Sequence, residues 1–338
     1  MLYPLQFDPI YEYRPWGGRR LANLLAGPLP GDAPIGEAWV LSDRADRPSR
    51  VADGPLKGMT IRALLKQFPV QMMGAEGARI RRFPLLLKFL DVKGMISVQV
   101  HPSDGHVGLL PKGETGKTEA WVVLDASPQS TICAGLKPGA TIDGLRRAIA
   151  SGLVTDQLLS LVPKPGDAVF VPAGTVHTLG NGVVVFEVQQ NSDVTFRLDD
   201  WGRVDVSTGQ PRALQVEKAI ASIDFAEHGA GLVQPVPETN DPVERKRLFD
   251  CRHFRVWRLT GLLPFPVGAA DSPRVLVCLK GNGQIKLGDA VYSLQKGGVM
   301  LLPAAVGVCS FKPLAPAVLL DIALPAATRS SSGEAHAQ

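Results

Sequence analysis

The sequence predicts a mainly β protein made of two jelly-roll modules, with a small helical insertion in the first. Three observations predict it. Glycine (35) and proline (28) are both above average and spread along the 338 residues, as many short strands joined by tight turns require. Short apolar runs recur between those turns. One segment is repeated: Pro165-Gly166-Asp167-Ala168-Val169-Phe170-Val171-Pro172-Ala173 parallels Lys296-Gly297-Gly298-Val299-Met300-Leu301-Leu302-Pro303-Ala304. Five positions after Pro172 stands His177, whereas five after Pro303 stands Val308, so only the first copy keeps a metal-binding side chain. The expected division is a first module over 1–235 with its insertion near 139–163, a second over 236–325, and a small, polar, disordered tail over 326–338.

The first 60 residues carry strand-like pieces broken by Gly and Pro, among them Ile35 to Ser42. Thr60 is placed to cap a helix that starts at Ile61, passes Lys66 and ends before Pro69. Residues 84–101 alternate between core strand and turn. Ile142, Leu145, Ile149 and Leu153 then recur at helical spacing, and a second short helix is expected from Asp156 to Leu161. Residues 166–197 return to strands, with Arg197 ending the pattern that runs from Gln189 to Phe196. A polar connector follows, with a helix at Leu214 to Ile220 and a linker at Ala230 to Pro242. Lys280-Gly281-Asn282-Gly283 reads as a hairpin turn in the second module.

Composition excludes several classes. The net charge of +4 is mild, and no basic stripe with interleaved aromatics marks a nucleic-acid partner. The amino terminus lacks a basic region followed by an apolar core, so no signal peptide is expected, and no apolar run is long enough to span a bilayer. Cys133, Cys251, Cys278 and Cys309 show no CxxC spacing and sit among apolar residues, as reduced thiols of a cytoplasmic protein do.

The chemistry concentrates in four segments. In Ser97-Val98-Gln99-Val100-His101-Pro102, Gln99 and His101 are two apart in an alternating run, so both side chains leave one face of the strand. Glu119 follows Gly116-Lys117-Thr118 and opens the run Ala120 to Leu124, and His177 follows the turn Pro172-Ala173-Gly174. A lone strand histidine is ordinarily a structural residue, and amide side chains ligate zinc rarely. The joint pattern is different. Two imidazoles and two oxygens on neighbouring strand edges make a zinc site with a position left open for substrate. His106, His228, His253 and His336 show no such pattern.

These segments, with Pro84-Leu85-Leu86-Leu87-Lys88 before them and Glu187-Val188-Gln189-Gln190-Asn191-Ser192-Asp193-Val194-Thr195-Phe196-Arg197 after them, resemble the type I phosphomannose isomerases of the cupin superfamily. The resemblance covers most of residues 12–205 and thins beyond. It implies zinc, one ion per chain, on Gln99, His101, Glu119 and His177. It also implies an active-site arginine at Arg197 and pocket lysines at Lys88 and Lys117. Ser103 departs from the pattern, since many relatives have an acidic residue there. The implied reaction interconverts mannose 6-phosphate and fructose 6-phosphate.

Such an isomerase moves a proton between C1 and C2 and stabilises the enediolate between them. Zinc on three neutral ligands and one carboxylate keeps a net charge of about +1, which suits an oxyanion. A lysine beside that cation has its charged form disfavoured, so Lys117 is one candidate acid/base, and Glu187 and Asp193 are its rivals. Asp193 in Asn-Ser-Asp also suits a turn cap, whereas Glu187 inside an apolar run is costly to bury without a role. Arg197 and Lys88, with Ser97, are expected to hold the substrate, as guanidinium forks suit phosphate. Two other readings compete. A non-catalytic sugar-binding or regulatory metal cupin has no need of so many titratable groups. An iron oxygenase wants open the position that Gln99 fills.

Overall fold

Strands Leu85–Val92 and Val183–Gln190 are buried along their whole length, so neither shows polar alternation. A strand of that kind needs cover on both faces, and the architecture supplies it. The computed structural model describes residues 2–205, 209–226 and 231–324. Its first sheet has six antiparallel strands in the order Ile10–Gly18, Ile35–Leu41, Leu85–Val92, Val183–Gln190, Glu119–Ala126, Ala168–Val171. On its inner face lies a five-stranded sheet, ordered Phe196–Asp199, Val98–Val100, His177–Gly180, Thr131–Leu136, Leu158–Leu161. Trp121, Val123, Val185 and Val92 of the first meet Ile132, Ala134 and Leu179 of the second in a continuous core.

A second pair of sheets repeats the plan. Its six strands run Val236–Thr239, Glu244–Asp250, Arg255–Gly261, Ala317–Ala323, Arg274–Lys280, Val299–Leu302. Its four-stranded partner runs Phe265–Gly268, Val308–Pro313, Asn282–Leu287, Ala290–Gln295. Numbered along the chain, each six-stranded sheet has the order 1-2-3-6-4-5. The weak sequence repeat is therefore a repeat of fold. Register carries it to single residues: Glu119 pairs with Val171 as Arg274 pairs with Leu302, and Glu187 with Trp121 as Asp321 with Leu276. Arg274 and Asp321 thus hold the places of Glu119 and Glu187.

The outer faces of the two six-stranded sheets share one core. Ala38, Val40, Phe89, Val122 and Phe186 of the first lie in the same cluster as Phe249, Val256, Val277, Leu301 and Leu320 of the second. Phe170 packs against Phe249 and Phe254, with ring centroids 6.2 and 6.5 Å apart. Leu5 bridges to Leu301, pinning the first residues onto the second pair of sheets.

The helix at Thr60 is as expected, spanning Ile61–Gln67 with the Thr60 hydroxyl accepting from the Ala63 amide at 3.1 Å. The insertion helix spans Ile142–Ala150 and that of the connector Val216–Ser222. Four readings need correction. Residues 156–161 form no helix: a short 3-10 turn, Val154–Gln157, leads into strand Leu158–Leu161, which pairs with the otherwise open edge of Thr131–Leu136. Gly281 makes no hairpin. It is a corner at φ +75°, where the chain leaves one sheet for the other; the hairpin lies further on, between Asn282–Leu287 and Ala290–Gln295. The expected linker already contains an edge strand, Val236–Thr239. Arg197 does not end the strand of Gln189; the chain crosses at 191–195, and Arg197 sits in Phe196–Asp199 of the facing sheet. Residues 326–338, His228 and His336 lie outside the described residues.

All four cysteines are free thiols. Among the described residues no helix is long and apolar enough to cross a membrane.

Candidate active site

Register brings the scattered motifs together. Gln99 pairs with His177 on one side and with Arg197 on the other. The Gly174 amide donates to the His101 carbonyl at 2.8 Å, so the turn before His177 is tied to the strand end that carries His101. Gly174 takes φ +96°, and a Cβ there would come within 3.1 Å of Asp224, which is why this turn uses glycine. Glu119 opens the neighbouring strand of the facing sheet.

His101, Glu119 and His177 are buried, and one ligand atom from each lies within 4.8 Å of the others. Nε2 of His101 is 3.4 Å from one Glu119 oxygen, and Nε2 of His177 is 3.3 Å from the other. Each imidazole turns Nδ1 to a carbonyl, His101 to Val194 at 2.8 Å and His177 to Thr175 at 2.9 Å. A carbonyl only accepts, so Nδ1 carries the proton and both Nε2 lone pairs face the cluster. That is the orientation a metal-binding histidine needs. Burial, more than the nearby Lys117, pushes His101 down to about 3, against the pull of Glu119, and burial also lowers His177. Both are neutral near neutral pH. Glu119 is pushed up by burial but pulled down further by Lys117 and the two histidines, so it stays ionised well below the usual carboxylate range. Gln99 reaches the same cluster, its amide nitrogen 3.1 Å from His177 Nε2, while its oxygen accepts from the Ser97 hydroxyl at 2.9 Å. Rotating the terminal amide presents the oxygen instead. The donor set fits a zinc ion.

A cavity of about 370 Å³ opens beside the cluster, the size class of small-molecule sites. Lys117 Nζ stands 2.7 Å from Glu119 and 3.0 Å from His101 Nε2. Glu187 is buried, its carboxylate accepting from the Trp121 indole at 2.9 Å and lying 3.4 Å from Lys88 Nζ. Burial first, and then the Glu119 charge, hold Glu187 above its ordinary value, with Lys88 and Lys117 opposing. Asp193 is exposed at the mouth. Arg197 also lines the cavity. Its Nε is buried without a hydrogen-bond partner, and among the described residues it has no ion pair.

Three cavity residues escaped the sequence reading. Glu37 receives a bidentate contact from Arg14 (3.0 and 3.3 Å) and an indole hydrogen bond from Trp39, and lies 3.7 Å from Lys88. Burial raises the Glu37 pKa, but Lys88, Arg14 and the Trp39 indole together bring it to about 2. Arg212, paired with Asp200, flanks Arg197. A carboxylate in the apolar strand Ile35–Leu41 was the available signal, since the burial cost argued for Glu187 applies equally to Glu37. Lys88 is thus not a free clamp. It is a buried ammonium between Glu37 and Glu187, 5.2 Å above the Trp39 ring.

The family model for the phosphomannose isomerase type I catalytic domain matches residues 5–116. Mannose-6-phosphate isomerase ManA of Bacillus subtilis is 34% identical over 314 residues, covering 90% of this chain and 94% of its own. The chain belongs to the type I phosphomannose isomerase family. A second family member, the mannose-6-phosphate isomerase of Streptococcus mutans, is 33% identical over 310 residues, covering 90% and 94%. The crystal structure of the Bacillus subtilis mannose 6-phosphate isomerase superposes with a TM-score of 0.86 at 32% identity, over 95% of this chain and 99% of that one. A phosphomannose isomerase variant from Salmonella typhimurium, 17% identical with a TM-score of 0.77, shares the fold over 96% and 100%.

Proposed function

We propose that this family member is a mannose-6-phosphate isomerase that uses one zinc ion per chain to interconvert mannose 6-phosphate and fructose 6-phosphate. The observation that carries the reading is the three-residue cluster with both imidazole Nε2 atoms turned inward, set against a cavity that holds a buried carboxyl outside the cluster. Zinc bound by His101, Glu119, His177 and Gln99 supplies positive charge for the substrate oxygens. Glu187 is the residue assigned to carry the proton between C2 and C1: its raised pKa suits both taking a carbon-bound proton and returning it. Lys88 and the Trp121 indole hold that carboxylate in place. Asp193, exposed at the mouth, suits a role in substrate entry. Lys117, paired with Glu119, steadies that ligand and points at the cavity, while the His101 Nε2 lone pair would be taken by the metal. Arg197, which among the described residues has no ion pair and keeps a buried free donor, binds the phosphate or the developing oxyanion. Ser97 fixes the Gln99 amide. The four free thiols fit a reducing cytoplasm.

The test is to incubate metal-analysed protein with fructose 6-phosphate in heavy water and follow the products by proton NMR. Mannose 6-phosphate carrying solvent deuterium at C2 is the expected outcome. No mannose 6-phosphate would overturn the activity; solvent deuterium at C2 would exclude a hydride shift, and full turnover by Glu187→Gln would overturn the proton carrier.

A further inference from the structure

The first six-stranded sheet has a second cavity on its outer face, between the two pairs of sheets, with a volume of about 520 Å³. Side chains alternate along a strand, so Glu119 lines the catalytic cavity and Trp121 the inner core, while Val122 and Leu124 face this cleft. The two cavities are separated by the sheet.

The cleft has two kinds of wall. Leu24, Leu124 and Leu279 form a partly buried aliphatic floor at the margin of the shared core, with Val318 beside them. Around it stand Arg20, Arg258, Lys280 and Lys296, with Asp125 the one carboxylate. Arg20 is neutralised by Asp91 and Asp125, at 3.2 and 3.1 Å, yet keeps a buried Nη2 without a hydrogen-bond partner. Among the described residues Arg258, Lys280 and Lys296 have no carboxylate within ion-pair distance. Arg258 is half-buried and makes one hydrogen bond, to the Gly166 carbonyl. Glu244 and Asp167 act on it only from beyond ion-pair distance, so its remaining donors are left for an anion. Three cations without a direct ion pair, beside an aliphatic floor, match a multiply charged phosphate joined to an apolar body.

We propose that this cleft binds a small organic phosphate of the nucleotide kind, its phosphoryl groups on Arg258, Lys280 and Lys296 and its body on the Leu24–Leu279 floor. The site is separate from the substrate cavity and does not depend on the isomerase reading.

Isothermal titration of the full-length protein with ADP, and separately with inorganic pyrophosphate, tests it. ADP is expected to bind saturably, one per chain, and more tightly than pyrophosphate. The Lys280→Glu, Lys296→Glu double variant changes two exposed residues; it is expected to weaken ADP about tenfold or more, the equivalent of about 1.4 kcal/mol, while keeping wild-type melting and isomerase rate. Arg258→Ala is expected to weaken it likewise, and Arg197→Ala to leave it unchanged. The proposal is overturned by an absence of saturable ADP binding in the millimolar range. It is also overturned if Arg197→Ala abolishes binding while the lysine variant keeps it, which would place the phosphate in the substrate cavity. Equal affinity for pyrophosphate and ADP would overturn the role of the aliphatic floor.

Discussion

Arg197 and Glu37 show what a buried charge is for when its partners differ. Arg197 has no ion pair among the described residues, and its Nε is buried and free, so the fold gains little from its charge. Arg197→Ala is expected to keep metal content and melting temperature near wild type and to lower turnover by about a hundred- to a thousandfold. Arg197→Lys is expected to recover little, because an ammonium lacks the planar fork; near-normal turnover from it would show that charge alone suffices. Glu37 is the opposite case, fully engaged by Arg14, Lys88 and Trp39. Its folded pKa of about 2 lies below the ordinary 4.5, so its contribution is present above pH 4.5 and is lost as pH falls towards 2. At about 1.36 kcal/mol per unit the full effect is about 3 kcal/mol. Denaturant melts should therefore show Glu37→Gln less stable than wild type at pH 7, with the gap closing through that acid window. A gap constant with pH would contradict the assignment. The cluster of His101, Glu119 and His177 was legible because each residue stood in its own turn-flanked motif. Glu37 and Arg14 were not, since a single charge in an apolar strand shows its partners only once strands pair.

At the scale of elements, the errors came from pairing and corners. Residues 156–161 carry leucines at spacings that suit a helix, but the edge of Thr131–Leu136 needed a partner, and tertiary pairing overrode the local pattern. Lys280-Gly281-Asn282-Gly283 had the composition of a tight turn, and composition cannot tell a hairpin from a corner between sheets. The corner has a measurable consequence. Gly281 sits at φ +75°, and a Cβ there would come within 2.4 Å of the Pro316 carbonyl oxygen. Gly288, in the true hairpin, has φ +59° and open space. Gly288→Ala is expected to cost about 1 kcal/mol, the left-handed penalty alone, whereas Gly281→Ala adds a backbone clash and should cost about 2–3 kcal/mol. Chemical denaturation of the pair checks this, and equal costs would argue that Gly281 can shift without strain. The strand Val98–Val100 makes the same point for the site. Only three residues long, it pairs Gln99 with His177 and Arg197 at once, so one short element sets the spacing of ligand and cation. His177→Ala and His101→Ala are each expected to lose metal on dialysis, read by mass-spectrometric metal analysis, because the proposed four-donor set would hold an ion far more weakly with one donor removed.

The whole molecule explains why a family of this chemistry carries a second module that lacks the ligands. At the places of Glu119 and Glu187 that module has Arg274 and Asp321, and Val308 stands five positions beyond Pro303, so no metal-binding set can form there. Its outer sheet instead covers the outer face of the catalytic one. Leu85–Val92 and Val183–Gln190, which carry Lys88 and Glu187, are buried on both faces because of that cover, and without it Phe89, Val122 and Phe186 would face water. The repeat was readable in the sequence, but the joint core was not, because continuous apolar strands look alike whether a helix or a second sheet covers them. A shared core predicts shared unfolding. Calorimetry of the metal-loaded protein should give one cooperative transition, and Phe249→Ala, which removes a 3% exposed ring packed on Phe170, should lower it as a whole. The expected cost is about 3–5 kcal/mol, with metal loss and unfolding coinciding in temperature. Suppose instead that the variant splits the trace in two, with metal retained through the first step. The sheets would then be separate folding units, and the second module would be a neighbour of the catalytic sheet, not its support.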